Sequence, residues 1–302
     1  MSGANTQIRQ AIYHYIDHME DGGYVRNAFG LADVSTVVAI LAEMLRSGDR
    51  QSVLAADIFL RDIVNYRMMP PFETYLPRSG LFRVLGDLLY VHDHTIRHNT
   101  IHTIGKIFYK TNVSMLIEAL PVYLQHYPLE LPDLFLELNW LSRSFRRRRW
   151  EHYEQAAASP NYLVRWSLLE ILRQERSQPD ERDPVAGRLE KIYGRLARDT
   201  RFLVGAEAEH ALHLLRLSWE GQILPVSEYR RQKKRFREAT PKLTFSIFQT
   251  RVRNYLYASG RHDYDLAVLE RFARYCADHP FGRPFDNVAY ARIFDEWRSR
   301  VG

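Results

Sequence analysis

Cysteine is nearly absent from this sequence. Its 302 residues include one, Cys276, which excludes an internal disulfide and any metal site built from several thiolates. Leu269 and Phe272 lie near Cys276 at helical spacing, and this pattern predicts a buried and unreactive thiol on an amphipathic helix.

Long apolar runs and common catalytic motifs are missing as well. No stretch approaches the roughly 18 consecutive apolar residues needed to span a bilayer, and the first ten residues, MSGANTQIRQ, lack the apolar core of a signal peptide. We therefore expect no membrane association and a cytoplasmic protein. There is no Gly-rich phosphate loop, Walker-type lysine or Gly-x-Ser-x-Gly motif. We predict no cofactor and name no catalytic residue, which makes an enzyme the less favoured class.

The apolar residues that are present recur with helical period. In residues 161–174, Val164, Leu168, Ile171 and Leu172 lie at i, i+4, i+7 and i+8, which places them on one face of an α-helix. Ser159 and Pro160 precede this segment, and both residue types suit a helix start. Almost nothing alternates with the period of a strand, so the sequence predicts an all-α fold.

This helical pattern occurs four times. Each copy starts from a β-branched residue, and the four are Val53, Ile96, Val164 and Val204. Their separations are 43, 68 and 40 residues. Two of these separations match the roughly 40–47-residue period of helical-pair repeats, and the longer gap contains further predicted helices at 112–127 and 130–142.

The copies resemble the second helix of HEAT/armadillo-like α-solenoid repeats. The similarity covers roughly residues 1–220 and is carried by Asp93 with Ile96-Arg97 and by Val164-Arg165, whereas Gly205 replaces the expected arginine in the last copy. The resemblance implies a right-handed α-α superhelix with a helical C-terminal extension. We expect residues 1–221 to form the irregular repeat domain and residues 222–302 to form a basic helical region that packs on it.

Positive charge is concentrated in two places. Residues 225–302 contain 16 Lys and Arg against 9 Asp and Glu, although the net charge of the whole chain is only +6. Two basic runs have aromatic neighbours, one at residues 143–150 and one at residues 230–237. Guanidinium groups bind phosphates and carboxylates, and aromatic rings stack on bases. The predicted partner-binding or nucleic-acid-binding residues are Arg146, Arg147, Arg148, Arg149 and Trp150 in the first run, and Arg230, Arg231, Lys233, Lys234, Arg235 and Arg237 in the second. The alternative is that both runs are solvated helix faces.

Histidines cluster at residues 92–102. His94, His98 and His102 are spaced i, i+4 and i+8, a spacing at which one helix face presents several imidazoles. The segment is similar to the repeat of di-iron HEAT hydroxylases, whose motif places Glu directly after His. Asn99 follows His98 here, and an amide does not supply the anionic oxygen that such irons need. We therefore predict no metal.

The leading functional expectation is a scaffold or adaptor that binds a partner protein along a helical-repeat surface. The first alternative is nucleic-acid binding through the basic C-terminal region. The second is an enzyme on a helical-repeat framework, such as a glycosylase or a lyase of the kind seen in phycobilin attachment, and it rests on fold analogy.

Overall fold

The computed structural model describes residues 3–17, 34–65, 80–107, 114–175, 184–220, 225–238, 243–279, 296, 297 and 299. Within these residues every regular element is an α-helix, which confirms the predicted all-α class. None of the described helices combines the length and the apolar character required to cross a membrane. The predicted loops at 68–80 and 177–184 and the predicted boundary between 221 and 222 fall almost entirely outside the described residues.

Fourteen helices are seen in the described part of the chain. They are Gly3–Asp17 (α1), Val34–Arg46 (α2), Arg50–Asn65 (α3), Leu81–Leu88 (α4), His94–Ile107 (α5), Ser114–His126 (α6), Leu131–Leu141 (α7), Arg143–Ala157 (α8), Tyr162–Gln174 (α9), Pro184–Leu196 (α10), Phe202–Glu220 (α11), Val226–Glu238 (α12), Phe245–Ala258 (α13) and Leu266–Asp278 (α14).

The chain divides into two compact units. The first comprises residues 1–120 and 137–143, and the second comprises residues 121–136 and 144–302. Helices α6 and α7 therefore contribute residues to both units. The second unit contains the longest continuous part of the chain, including both basic runs.

In the first unit, α3 and α5 pack side by side in parallel. Arg50 Nε donates to Asp93 Oδ2 at 2.6 Å, and Thr100 Oγ1 donates to Asp57 Oδ2 at 2.8 Å. Both pairs are 43 residues apart in sequence, and a constant separation along two contacting helices means that they run in the same direction. The same 43 residues separate Val53 from Ile96 in the repeat pattern.

Helices α9 and α11 of the second unit are also joined by two side-chain contacts, but the sequence separations of these contacts are 34 and 41 residues and are not constant. Arg165 Nε donates to Asp199 Oδ2 at 2.5 Å, and Trp166 Nε1 donates to Glu207 Oε2 at 2.6 Å. Arg165 Nη1 also donates to the carbonyl oxygen of Ser159, six residues earlier. Arg97 donates to the carbonyl oxygen of Val91, again six residues earlier, so the two arginines of the repeat pattern anchor their helix starts in the same way.

Close packing explains why glycine occupies position 205, where the repeat pattern expects a third arginine. A Cβ atom at this position would lie 3.1 Å from the carbonyl oxygen of Asp199 and 3.5 Å from that of Ala197. The turn between α10 and α11 therefore occupies the space that a side chain would enter.

The start of α9 differs in detail from the expectation. Asn161 is the N-cap, and its side-chain oxygen accepts from the Leu163 N–H at 2.9 Å. The Ser159 hydroxyl instead accepts from the Asn161 N–H at 3.2 Å, one step outside the helix. An amide oxygen directly before the helix reaches the free N–H groups better than a hydroxyl two residues earlier.

Helix α13 covers α9. The Trp166 ring stacks on Phe248 with 5.0 Å between ring centroids and meets Phe245 edge to face at 5.5 Å. Residues 162–172 of α9 are all buried except Arg165. Glu207 of α11 also accepts from the backbone N–H of Phe245 at 2.8 Å, so the first turn of α13 is held by the carboxylate that holds Trp166.

Candidate binding surface

Helices α8 and α10 of the second unit form a basic cleft on the surface. Its volume is about 350 Å³. Its lining combines four cations, two carboxylates and two apolar side chains. These residues are Arg147, Arg148, Trp150, Glu151, Glu154, Arg188, Lys191 and Ile192.

Trp150 organises the base of this cleft. The Arg188 Cζ atom lies 5.6 Å from the Trp150 ring centroid, and the Arg149 Cζ atom lies 5.2 Å from it. Both distances allow cation–π attraction, which restrains long arginine side chains. The indole is itself 8% exposed and meets Tyr153 edge to face at 5.4 Å. Trp150 therefore holds guanidinium groups in place instead of offering a free ring face to a base.

The charges in the cleft are only partly paired. Arg148 pairs with Glu151 at 2.9 Å, and Lys191 pairs with Glu154 at 3.1 Å. All four side chains are well exposed, so these pairs contribute little to stability. Arg147 and Arg188 have no carboxylate partner within the described part of the chain. The cleft thus keeps two guanidinium charges that no neighbouring acid compensates.

The remaining members of the first run serve other purposes. Arg149 turns inward, where its Nε donates to Glu175 Oε1 at 3.0 Å and its Nη1 donates to the Arg146 carbonyl oxygen at 2.7 Å. Phe145 is buried against Phe135, with 5.7 Å between ring centroids. Arg146 is exposed but does not line the cleft. Arg147 and Arg148 are the part of this run that reaches it.

The second run forms a stripe on α12. The side chains of Arg230, Arg231, Lys234 and Arg235 are exposed, and their i, i+4 spacing puts them on one side of the helix. Arg231 pairs with Glu228. The side chains of Lys233 and Arg237 lie outside the described part of the structure.

The histidines of α5 form a column. The rings of His98 and His102 meet edge to face with 4.8 Å between centroids, and those of His94 and His98 stack at 6.3 Å. His102 shares a 2.8 Å hydrogen bond between its Nδ1 and Glu137 Oε1. Glu137 was not anticipated from the sequence. The expected absence of a metal stays a prediction.

Three buried titratable groups belong to the interior. Burial raises the pKa of Asp57 to about 6, that of Glu207 to about 7 and that of Cys276 to about 11. A thiol with such a pKa stays protonated, as expected for an inert cysteine. None of the three lines the basic cleft, so their shifted pKa values follow from packing.

A second cleft of about 280 Å³ lies where α8 and α10 end. Arg165 lines it, but both of its outer nitrogens are occupied, because Nη2 donates to Asp199 Oδ1 at 3.1 Å and Nη1 donates to backbone carbonyls. These bonds join the ends of the helices and commit the Arg165 guanidinium, so that Arg195 is the other cation lining this cleft.

Sequence reasoning missed the contribution of α10. Arg188 and Lys191 lie three residues apart, and Arg195 follows four residues later, so a basic stripe could have been recognised on this helix. The contact between Arg188 and Trp150 could not have been recognised, because the two residues are far apart in sequence.

Comparison with known proteins adds no assignment. No protein family, no curated protein and no solved structure matches this chain.

Proposed function

We propose that this protein is a HEAT/armadillo-like helical-repeat scaffold that binds a partner protein in the cytoplasm, with the basic cleft as the contact. The repeat assignment is supported by the parallel packing of α3 with α5 and by the contact of α9 with α11. In each pair an arginine near the start of one helix bonds an aspartate at the start of the other. Such recurrence is typical of stacked helical pairs, in which each repeat contacts its neighbours.

The burial pattern indicates which side of the second unit binds. Its second helices are α9 and α11, and α9 is covered by α13 through Trp166 and Phe248. Its first helices, α8 and α10, expose Arg147, Glu151 and Lys191. The first-helix side is therefore the side that a partner can reach.

The mixed charge of the cleft favours a protein over a nucleic acid at this position. Glu151 and Glu154 lie among the cations, and they would repel a continuous phosphate backbone. A protein surface can match both signs of charge, which gives specificity. Trp150 is buried beneath Arg188, and this arrangement leaves no ring face on which a base could stack. The observation that carries this function is the pair of uncompensated guanidinium groups of Arg147 and Arg188 beside these carboxylates.

Affinity purification tests this function. The wild-type chain, an Arg147→Glu, Arg188→Glu variant and an Arg271→Glu control are used as baits in nuclease-treated extract of the native cell. Arg271 is exposed on α14 and does not line the cleft. We expect at least one protein that binds the wild type and the control in stoichiometric amount and is lost from the cleft variant. An identical set of bound proteins for all three baits would overturn the function.

A nucleic-acid-binding role is the second candidate, and α12 favours it. Four exposed cations on one side of this helix repel one another at i, i+4 spacing, and a polyanion would relieve that repulsion. Among the described side chains of α12 these four cations face one acid, Glu228, whereas the cleft has two acids for its four cations. The two surfaces can therefore be tested separately.

A further inference from the structure

We infer that the basic cleft between α8 and α10 is a receptor for a phosphorylated side chain on the partner protein, with Arg147 and Arg188 as the groups that bind the phosphate. Because this assignment rests on the proposed function, it narrows the partner to a phosphoprotein. The argument starts from the charge of the cleft.

The uncompensated charge matches a phosphomonoester. Four cations and two carboxylates line the cleft, and the two carboxylates pair with Arg148 and Lys191. Two positive charges remain, at Arg147 and Arg188. A phosphorylated Ser, Thr or Tyr carries between about −1.5 and −2 near pH 7 and offers three acceptor oxygens. One phosphomonoester therefore neutralises the cleft, whereas a single carboxylate leaves half of the charge.

The donor chemistry also fits. A guanidinium group presents parallel N–H donors that bind two oxygens of a phosphate at once. The Trp150 ring restrains Arg188 before any ligand arrives, so less side-chain entropy is lost on binding. A cleft of about 350 Å³ admits one modified side chain.

Glu151 and Glu154 then limit the binding of anions in the cleft. Glu151 pairs with Arg148 and Glu154 pairs with Lys191, so these two cations are less available to the ligand. They also oppose the close approach of a second anion. Replacement of either glutamate by glutamine should free a cation and strengthen phosphate binding, an effect that a purely structural role of the cleft would not produce.

The binding test uses short peptides and the full-length protein. A Gly/Ala peptide with a central phosphoserine is titrated into the ¹⁵N-labelled chain, and the indole N–H of Trp150 and the side-chain N–H groups of Arg147 and Arg188 are followed by NMR. The unphosphorylated peptide and a peptide with two adjacent glutamates are the comparison ligands. We expect saturable shifts with the phosphopeptide and none with the serine peptide.

The variants decide the assignment. Arg147→Gln and Arg188→Gln should each weaken phosphopeptide binding about tenfold or more, since each removes charge-assisted hydrogen bonds. Glu154→Gln should strengthen binding severalfold, and Arg271→Gln should leave it unchanged. Equal or tighter binding of the diglutamate peptide, or unchanged affinity in both arginine variants, would overturn the assignment.

Phosphatase treatment separates this inference from the function on which it rests. If a protein binds the wild-type bait and is lost from the cleft variant, but stays bound after the extract is dephosphorylated, the scaffold function stands and the phosphate receptor is wrong. If the phosphopeptide binds as expected but no protein distinguishes the baits, the receptor stands and the scaffold function is wrong. Release of the partner by phosphatase supports both.

Discussion

Glu207 accepts a hydrogen bond from Trp166 Nε1 at 2.6 Å, and with the same oxygen it accepts the backbone N–H of Phe245 at 2.8 Å. One carboxylate thus joins α9, α11 and the first turn of α13. Because the group is buried, its charged form is disfavoured, and its pKa rises to about 7 from an ordinary 4.5.

This raised pKa predicts that stability depends on pH. Between pH 4.5 and 7 the folded protein binds a proton at Glu207 that the unfolded chain releases, so the free energy of unfolding falls as the pH rises through this window. The full difference is about 3 kcal/mol. Denaturant unfolding at pH 5 and pH 8 measures it. Glu207→Gln should remove most of the slope.

The matched control is Glu209→Gln, on the exposed side of the same helix, which should retain the wild-type slope. Asp57 contributes a smaller slope in the same direction, because burial raises its pKa to about 6. A Glu207→Gln, Asp57→Asn double variant should therefore lose more of this downward slope than either single variant. A wild-type slope in Glu207→Gln would contradict the assignment of the proton to this carboxylate.

The parts of this arrangement differ in how visible they are in the sequence. The period of apolar residues correctly predicted that Leu168 and its stripe are buried, and the spacing of 43 residues between Val53 and Ile96 equals the separation of two contacting pairs in α3 and α5. Local periodicity reports which side of a helix is buried, because it follows from helix geometry.

Periodicity does not predict which side chain packs against a given buried residue. Trp166 stacks on Phe248, and Arg188 reaches Trp150 from a neighbouring helix, but many aromatic residues could have filled either place. Glu207 was equally hidden, since a glutamate in an amphipathic helix is usually solvated. The choice of partner is settled by tertiary packing. The sequence therefore predicted the basic run that contains Arg147 and Arg148, but it did not predict that Arg188 and Lys191 of α10 line the same cleft.

Gly105 is expected to be intolerant of a side chain. A Cβ atom there would collide with the carboxylate of Glu137, which is buried and hydrogen-bonded to His102. Gly105→Ala should destabilise the protein by about 1–3 kcal/mol, as overpacking does. Thermal unfolding of the wild type and the variant measures the cost.

Two comparisons show whether Glu137 is the cause. In a Glu137→Ala background, Gly105→Ala should cost little, because the colliding carboxylate is gone. Gly187→Ala on α10, where a Cβ meets no atom within 4 Å, should instead stabilise by up to about 1 kcal/mol through helix propensity. An undiminished penalty without Glu137 would mean that another contact is responsible.

The arginine and aspartate pairs of the two units should differ in strength. Arg165 and Asp199 are 17% and 6% exposed, while Arg50 and Asp93 are 39% and 9% exposed. Removal of Arg165 leaves the largely buried carboxylate of Asp199 without its cation, so Arg165→Gln should cost about 3 kcal/mol. The more exposed Arg50→Gln should cost about 1 kcal/mol. Double-mutant cycles with Asp199→Asn and Asp93→Asn measure the coupling within each pair.

Arg173→Gln provides the baseline for these values. Arg173 pairs with Glu170 at 2.5 Å but is 68% exposed, and we expect a cost of less than about 1 kcal/mol. Equal costs at Arg165 and Arg173 would show that the pair at the helix starts is not a structural tie, and would weaken the repeat assignment that it supports.

The stripe on α12 makes the nucleic-acid candidate quantitative. If Arg231, Lys234 and Arg235 contact a phosphate backbone, each contact releases counterions, and affinity must fall as salt rises. Replacement of all three by glutamine should weaken binding and reduce the salt slope by about one unit per lost contact. Fluorescence anisotropy with labelled single-stranded and double-stranded oligonucleotides, at several salt concentrations, measures both quantities.

The Arg147→Gln, Arg188→Gln variant is the matched control and should bind as the wild type does, because its substitutions lie on α8 and α10. If oligonucleotides do not bind the wild type even at low salt, α12 is a solvated helix face. If the cleft variant loses the salt dependence of binding instead, the polyanion binds between α8 and α10. The assignment of nucleic acid to α12 and of a protein partner to the cleft is then wrong.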